Sequence, residues 1–168
     1  MSQRFSIPLL FAVLIACQSL LSGCAFLGGG NAPLPKAKGY EIQAPTNWKE
    51  EGREESDKAY RLTSGSIVTI NSSCTRNTKV PLEVLTKHLL LGLRNVAVEK
   101  QELLEVAGEQ GMYSQVRATL EGTLIYSHLF VLPKRNCVFD FSLMNRRPIS
   151  EKDAEAFLSF VKSFKYNN

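Results

Sequence analysis

An α+β fold, an antiparallel sheet of about seven strands packed with two main helices, is what this sequence predicts, on three observations. Four long stretches, residues 98–106, 110–120, 123–132 and 137–144, follow one another with only turn residues between them. Links that short make neighbouring strands antiparallel. Residues 81–93 and 150–164 carry apolar side chains at helical spacing. Strands clustered together, with helices set before and after them, describe an α+β sandwich rather than an alternating α/β fold.

In chain order, the first element is an address. Arg4 supplies one positive charge, and residues 5–16 are apolar except for Ser6. Gln18 and Ser19 interrupt the run before it reaches the ~20 apolar residues of a membrane span. A charged start, a short apolar middle and small residues at a cut site describe a secretory signal peptide, residues 1–23. Leu21-Ser22-Gly23-Cys24 resembles the bacterial lipobox: an aliphatic residue, a small one, Gly or Ala, then Cys. That resemblance implies diacylglycerol on the Cys24 thiol, cleavage before Cys24, and a fatty acid such as palmitate on the new amine. An uncleaved anchor helix, with Cys24 an ordinary cysteine, is the alternative; either reading makes membrane lipid a partner. Each buried methylene contributes ~0.8 kcal/mol, so two or three chains hold firmly where one holds marginally. Ala25, rather than Asp, follows the cysteine. Within the class this implies sorting to the outer membrane of a Gram-negative cell, facing the periplasm.

Residues 24–39 form a spacer. Three consecutive glycines make its first half flexible; Pro33 and Pro35 stiffen the second. Its reach is roughly 50 Å at ~3.3 Å per residue. Residues 40–168 then form one domain, long enough for a real core.

Within the domain, residues 40–44 alternate and stop at Pro45, reading as a first strand, and Trp48 follows in a loop. The charged run at 49–58 reads as an exposed loop. Residues 59–63 and 66–72 read as strands joined by a hairpin at Ser64-Gly65. Pro81 suits the first turn of a helix, whose apolar stripe is Leu82, Leu85, Leu89 and Leu93. Of the four strands that follow, residues 123–132 are apolar on both faces and belong at the centre of the sheet. Ser150 is a good cap for the last helix, with Asp153 in its first turn. Ala154, Phe157, Leu158, Val161 and Phe164 make its buried stripe.

Charge and cysteine usage narrow the function. The chain carries 20 basic and 16 acidic residues, a net +4, or +3 once Arg4 leaves with the leader. That weak, mixed balance does not describe a nucleic-acid binder. Lys134-Arg135 and Arg146-Arg147 are local basic pairs; solvated turns explain them more simply than contact with an anionic lipid or glycan. Of four cysteines, Cys17 belongs to the leader and Cys24 to the lipid site, leaving Cys74 and Cys137. An oxidising compartment permits a disulfide between them; two separate buried thiols are the alternative.

The element order, with the Pro45-x-x-Trp48 unit and the C-terminal Ser163-Phe164, resembles the PsbP-like fold over residues 40–166. That family includes the lumenal PsbP subunit of photosystem II, a yeast Ran-release factor and bacterial envelope lipoproteins of the DcrB type. The resemblance implies an accessory or docking module with no catalytic residues to transfer and no cofactor. Some PsbP-type proteins bind metal ions, but no ligand positions match here.

The residues themselves offer little chemistry. His128 lies in an apolar strand and reads as a hydrogen-bonded core histidine; His88 lies on a helix flank. Their isolation makes a poor metal site. Ser72, Ser73, His128 and Asp140 supply the ingredients of a hydrolytic triad, but no GxSxG elbow presents a serine. No phosphate loop or dinucleotide fingerprint is present. The expectation is therefore a non-enzymatic envelope lipoprotein that docks on a protein partner. The alternative binds a small ligand or metal ion on the sheet face or in the loop between Asn71 and Pro81. Replacing Cys24 by Ser should abolish fatty-acid labelling and leave the chain unprocessed or released from membranes. Unchanged labelling and electrophoretic migration would overturn the lipid assignment.

Overall fold

The computed structural model of the protein describes residues 34–52, 56–74 and 79–166. Cys24 lies outside them. The first strand, β1 (Tyr40–Glu41), is only two residues long. Pro45, Thr46, Asn47 and Trp48 form a turn closed by Trp48 N–H donating to Pro45 O at 3.0 Å. That turn delivers Trp48 to the core and leads into β2 (Lys49–Glu50). Next come β3 (Lys58–Arg61) and β4 (Ile67–Cys74), joined by the expected hairpin. Helix α1 (Leu82–Leu89) precedes the meander of β5 (Arg94–Val106), β6 (Glu109–Leu120), β7 (Thr123–Lys134) and β8 (Cys137–Asn145). Helix α2 (Glu151–Lys162) and β9 (Lys165–Tyr166) complete the fold.

The main sheet has seven antiparallel strands in the order β2-β3-β4-β8-β7-β6-β5. Seven was the expected number, with one member exchanged. β1 leaves the sheet to pair with β9, Tyr40 opposite Tyr166, and β2, inside the charged run, takes an edge. The β4–β8 pairing is the long-range join. It sets Ile67 opposite Met144 at one end and Cys74 opposite Cys137 at the other.

Strand alternation gives the sheet two unlike faces. One carries Val68, Ile70, Phe130, Phe139, Phe141 and Leu143, all fully buried, beneath α2 and the β1–β9 ribbon. Phe157, Phe160, Val161 and Phe164 of α2 complete that core. Edge-on ring contacts tie it together: Phe139–Phe164 at 4.7 Å, Phe141–Phe164 at 5.6 Å and Tyr60–Phe160 at 5.6 Å. Trp48 packs on Phe160 at 5.1 Å and closes one end. Gly111 has no room for a side chain, since a Cβ there would sit 2.3 Å from the Phe130 ring. The other face carries a smaller cluster, Val116, Ala118, Ile125 and Leu129, covered by Leu89, Leu90 and Leu93.

Both helices form where sequence places them, with one difference. Ser150 caps α2, its Oγ accepting from Asp153 N–H at 3.2 Å. Helix α1 ends at Leu89 instead of continuing to residue 93. Leu90 N–H bonds to Lys87 O at 3.1 Å, a tightened last turn, and Gly92 adopts a φ of 85°. A left-handed glycine ends helices because it lacks the Cβ that penalises that conformation. The released residues start β5 at Arg94, four earlier than residue 98.

The second half of the expected spacer also behaves differently. β3 covers β4 only as far as Ile70. Beyond it, residues 35–37 lie along the open edge: Cys74 N–H donates to Pro35 O at 2.8 Å, and Ala37 N–H to Ser72 Oγ at 2.8 Å. Lys36 ion-pairs with Asp57 at 3.0 Å, and Ser72 Oγ donates to the same carboxylate. Asp57 belongs to the run read as solvated, yet its side chain is 8% exposed. It is inside because it holds this strap. Unpaired strand edges invite association, and the strap removes one.

Cys74 and Cys137 are bonded to each other. They face one another as a non-hydrogen-bonded pair, since the Cys74 amide turns outward to Pro35, and such pairs bring side chains closest. The bond closes a loop with a separation of 63 residues, for which chain entropy gives about 4 kcal/mol. Reduction, or the Cys74→Ala, Cys137→Ala double variant, should lower unfolding free energy in urea by about that amount. Equal stability with and without reductant would show the cross-link contributes nothing.

Candidate interaction surface

Surface chemistry concentrates on the α1 side of the sheet. Helix α1 has only eight residues and covers β6 and β7, leaving apolar side chains exposed around it. Leu91, in the turn after α1, is 75% exposed; Leu103 and Val98 on β5 are 52% and 48% exposed. Val98 lies opposite Val116 and Leu103 opposite Met112, so both point to this side. β5 is the free edge of the sheet, interrupted by two register shifts and studded with Glu99, Lys100, Glu102 and Glu105. Bulges and charges discourage strand addition along an edge. What this side presents is therefore the side chains of its face rather than an open strand edge.

Beyond α1 the same face opens into a cleft of about 550 Å³. Its floor is Ile67, Leu120, Ile125 and Met144; Arg61, Arg146 and Arg147 line its rim. Arg61 is committed to Glu51, with contacts of 2.6 and 3.0 Å. Arg146 and Arg147 are exposed, and neither guanidinium bonds or ion-pairs with a described residue. Asn145 organises the rim. Its Oδ1 accepts from Arg147 N–H at 3.1 Å, and its Nδ2 donates to Ser66 Oγ at 2.8 Å. Buried Ser66 in turn donates to Asp153 of α2 at 3.1 Å. Ser64-Gly65, the end of β8 and the start of α2 are thus held as one unit.

On the opposite face, a cavity of about 170 Å³ is bordered by Glu99, Gln115, Tyr126, His128 and Ile149. His128 Nδ1 lies 2.8 Å from Tyr113 Oη, and Gln115 Nε2 donates to that same hydroxyl at 3.2 Å. Burial lowers the imidazole's pKa, against the attraction of Glu99. The histidine is a half-buried, hydrogen-bonded strand residue; His88 is exposed on α1.

The four residues that could compose a triad are not brought together. Ser72 and His128 lie on β4 and β7, with β8 between. Ser72 is opposite Phe139 and His128 opposite Leu143, a separation of about 13 Å along β8 and about 10 Å across it. Ser72 is already bonded to Asp57 and Ala37, while Ser73 and Asp140 sit on the other face. Among the described residues no three His, Cys, Asp or Glu side chains are grouped to hold a metal. Of the loop between Asn71 and Pro81, residues 75–78 lie outside the described residues. Sequence reasoning named Arg146-Arg147 but missed Asp57, Asn145 and Arg61, whose roles come from partners distant in the chain.

No protein family and no curated protein matches the sequence. Solved structures do. Cyanobacterial PsbP (CyanoP) from Synechocystis sp. PCC 6803 is 16% identical, covers 88% of this chain and 99% of its own, and superposes with a TM-score of 0.59. LpqN, involved in cell envelope biogenesis of Mycobacterium tuberculosis, is 11% identical over 83% of this chain and 88% of its own, with a TM-score of 0.60. A Bacteroides thetaiotaomicron protein is 18% identical over 82% of this chain and half of its own, with a TM-score of 0.55. The fold is PsbP-like. Among the described residues no helix is long and apolar enough to cross a membrane.

Asp140, on β8 between Asn71 and Val131, is the perturbed acid of the α1 side. Burial pushes its pKa up from 3.8 to about 6, against the pull of Lys36. The folded state therefore holds this proton more tightly than the unfolded chain. The resulting stability is present below pH 3.8 and is lost as pH rises through about 6. Asp140→Asn should raise stability by about 3 kcal/mol at pH 8, each pKa unit being worth about 1.4 kcal/mol, and by nothing well below pH 3.8. His128 acts in the other direction, since its lowered pKa makes stability fall as pH drops below 6.5. Both proteins carry His128, so urea titrations compared across pH isolate Asp140; a difference independent of pH would contradict the assignment.

Proposed function

We propose that the protein is a non-enzymatic docking or assembly module of the bacterial envelope. It is anchored by lipid on Cys24, on the outer membrane facing the periplasm, and it works without a cofactor or nucleic acid. One observation carries the docking part: Leu91, Val98 and Leu103 remain exposed around α1, outside the core. Solvent-exposed apolar groups gathered on one side, with charges along the adjacent edge, suit a protein partner that covers them. The anchoring part rests on the Leu21-Ser22-Gly23-Cys24 sequence. LpqN, which shares the fold, is itself involved in envelope biogenesis. The partner in this reading is an envelope protein with an apolar surface patch, bound by α1 and the β5 side of the sheet.

Crosslinking in cells, followed by mass spectrometry, tests it. Reproducible crosslinks to one envelope protein should fall at least fivefold in Leu91→Glu and Leu103→Glu variants whose thermal unfolding matches the parent. No reproducible protein neighbour, or crosslinks indifferent to both substitutions, would remove the docking reading.

A further inference from the structure

We infer that the cleft beside α1 is a binding site for a single anionic amphiphile, a molecule with a phosphate or carboxylate head and an alkyl chain. Two features of different chemistry meet there. Arg146 and Arg147 offer guanidinium groups that no described residue engages. Guanidinium is suited to such heads, since its forked donors match two oxygens at once. Directly below, Leu120 and Met144 supply apolar surface that water otherwise covers, Leu120 being 43% exposed. An anion alone would leave that floor wet, and a neutral chain alone would leave both arginines unanswered. A molecule carrying both groups satisfies both.

Shape and position favour one molecule over a bilayer surface. The cleft is concave, and about 550 Å³ is within the ~300–1,000 Å³ of small-molecule sites. Its rim is not a broad basic face: Arg61 is neutralised by Glu51, and Asp153 lies just behind Ser66. The rim is also built in advance. Asn145 fixes the Arg147 backbone to Ser66, and through it to α2, so little order has to be created on binding. The cleft residues differ from Leu91, Val98 and Leu103, so this site stands or falls separately from the docking surface.

Methionine methyl groups give a local readout. The chain has three methionines: Met1, Met112 and Met144. Met144 lines the cleft and Met112 is buried in the sheet. The full chain, carrying ¹³C-methyl methionine in phosphatidylcholine nanodiscs, is titrated with dodecyl phosphate below its micellar concentration. The Met144 signal, assigned with Met144→Leu, should shift saturably while Met112 stays still. Arg146→Gln with Arg147→Gln should weaken the apparent affinity at least tenfold, and Leu120→Asp should weaken it independently. Inorganic phosphate and dodecyl maltoside should each act at least tenfold more weakly. An unmoved Met144 signal, or affinity unchanged by the arginine substitutions, would overturn the site. Phosphate acting as well as dodecyl phosphate would reduce it to a simple anion contact. A shift seen only in phosphatidylglycerol nanodiscs, with no response to dodecyl phosphate, would assign it to the bilayer surface instead. Either result refutes the inference.

Discussion

The pairing of β4 with β8 is the constraint on which the rest of the molecule depends. It joins the N-terminal hairpin to the meander across α1 and three strands. A slip of one residue would exchange the faces of the whole strand. Val68, Ile70 and Ser72 would leave the aromatic core, and Ile67 would leave the cleft floor. The register is pinned at both ends. The disulfide holds Cys74 to Cys137, and at the other end Asn145 donates to buried Ser66. Between these pins Thr69 Oγ1 and Ser142 Oγ lie 2.6 Å apart, a cross-strand hydrogen bond on the solvent-facing side. A covalent bond, a buried polar bond and an aromatic face all specify the same alignment, and that agreement is what makes one structure preferred.

From this alignment follows the asymmetry between the two faces. The α2 side concentrates nearly all the large buried rings, so its geometry is closed and rigid. The α1 side has a short helix, a four-residue core cluster and partly exposed polar strand residues. Substituting in the first disturbs packing, while the second has surface to spare for contact. α2 and its rings hold the sheet, and the opposite face keeps apolar side chains exposed. Asp140 lies on the less covered face yet still loses enough water for its pKa to rise. Asp57 is ion-paired with Lys36 and accepts a hydrogen bond from Ser72.

What could be read from sequence was short-range. Helix α2, its Ser150 cap and the strands β5 to β8 are visible because spacing and turn residues act within a few positions. Arg146-Arg147 was visible as a pair, but the cleft was not, because its floor comes from β4, β6, β7 and β8 at once. β1 was legible as extended chain; its partner, β9, lies at the far end of the domain. Asp57 shows the limit most clearly. In a run of charges it looks like every other exposed acid. Only the strap arriving from residues 35–37 makes it an internal anchor. The early end of α1 had a local signal in Gly92, which the leucine spacing at 89 and 93 outweighed.

The strap also gives the domain a direction. Pro35 meets the sheet at Cys74, the disulfide end of β4, and the arginine-lined cleft begins at Ile67, the other end. Eight residues of strand separate them by about 23 Å at ~3.3 Å per residue. The place where the chain joins the sheet and the place where the arginines gather are therefore opposite ends of one strand, so a contact made at the cleft leaves the strap and the disulfide clear of it.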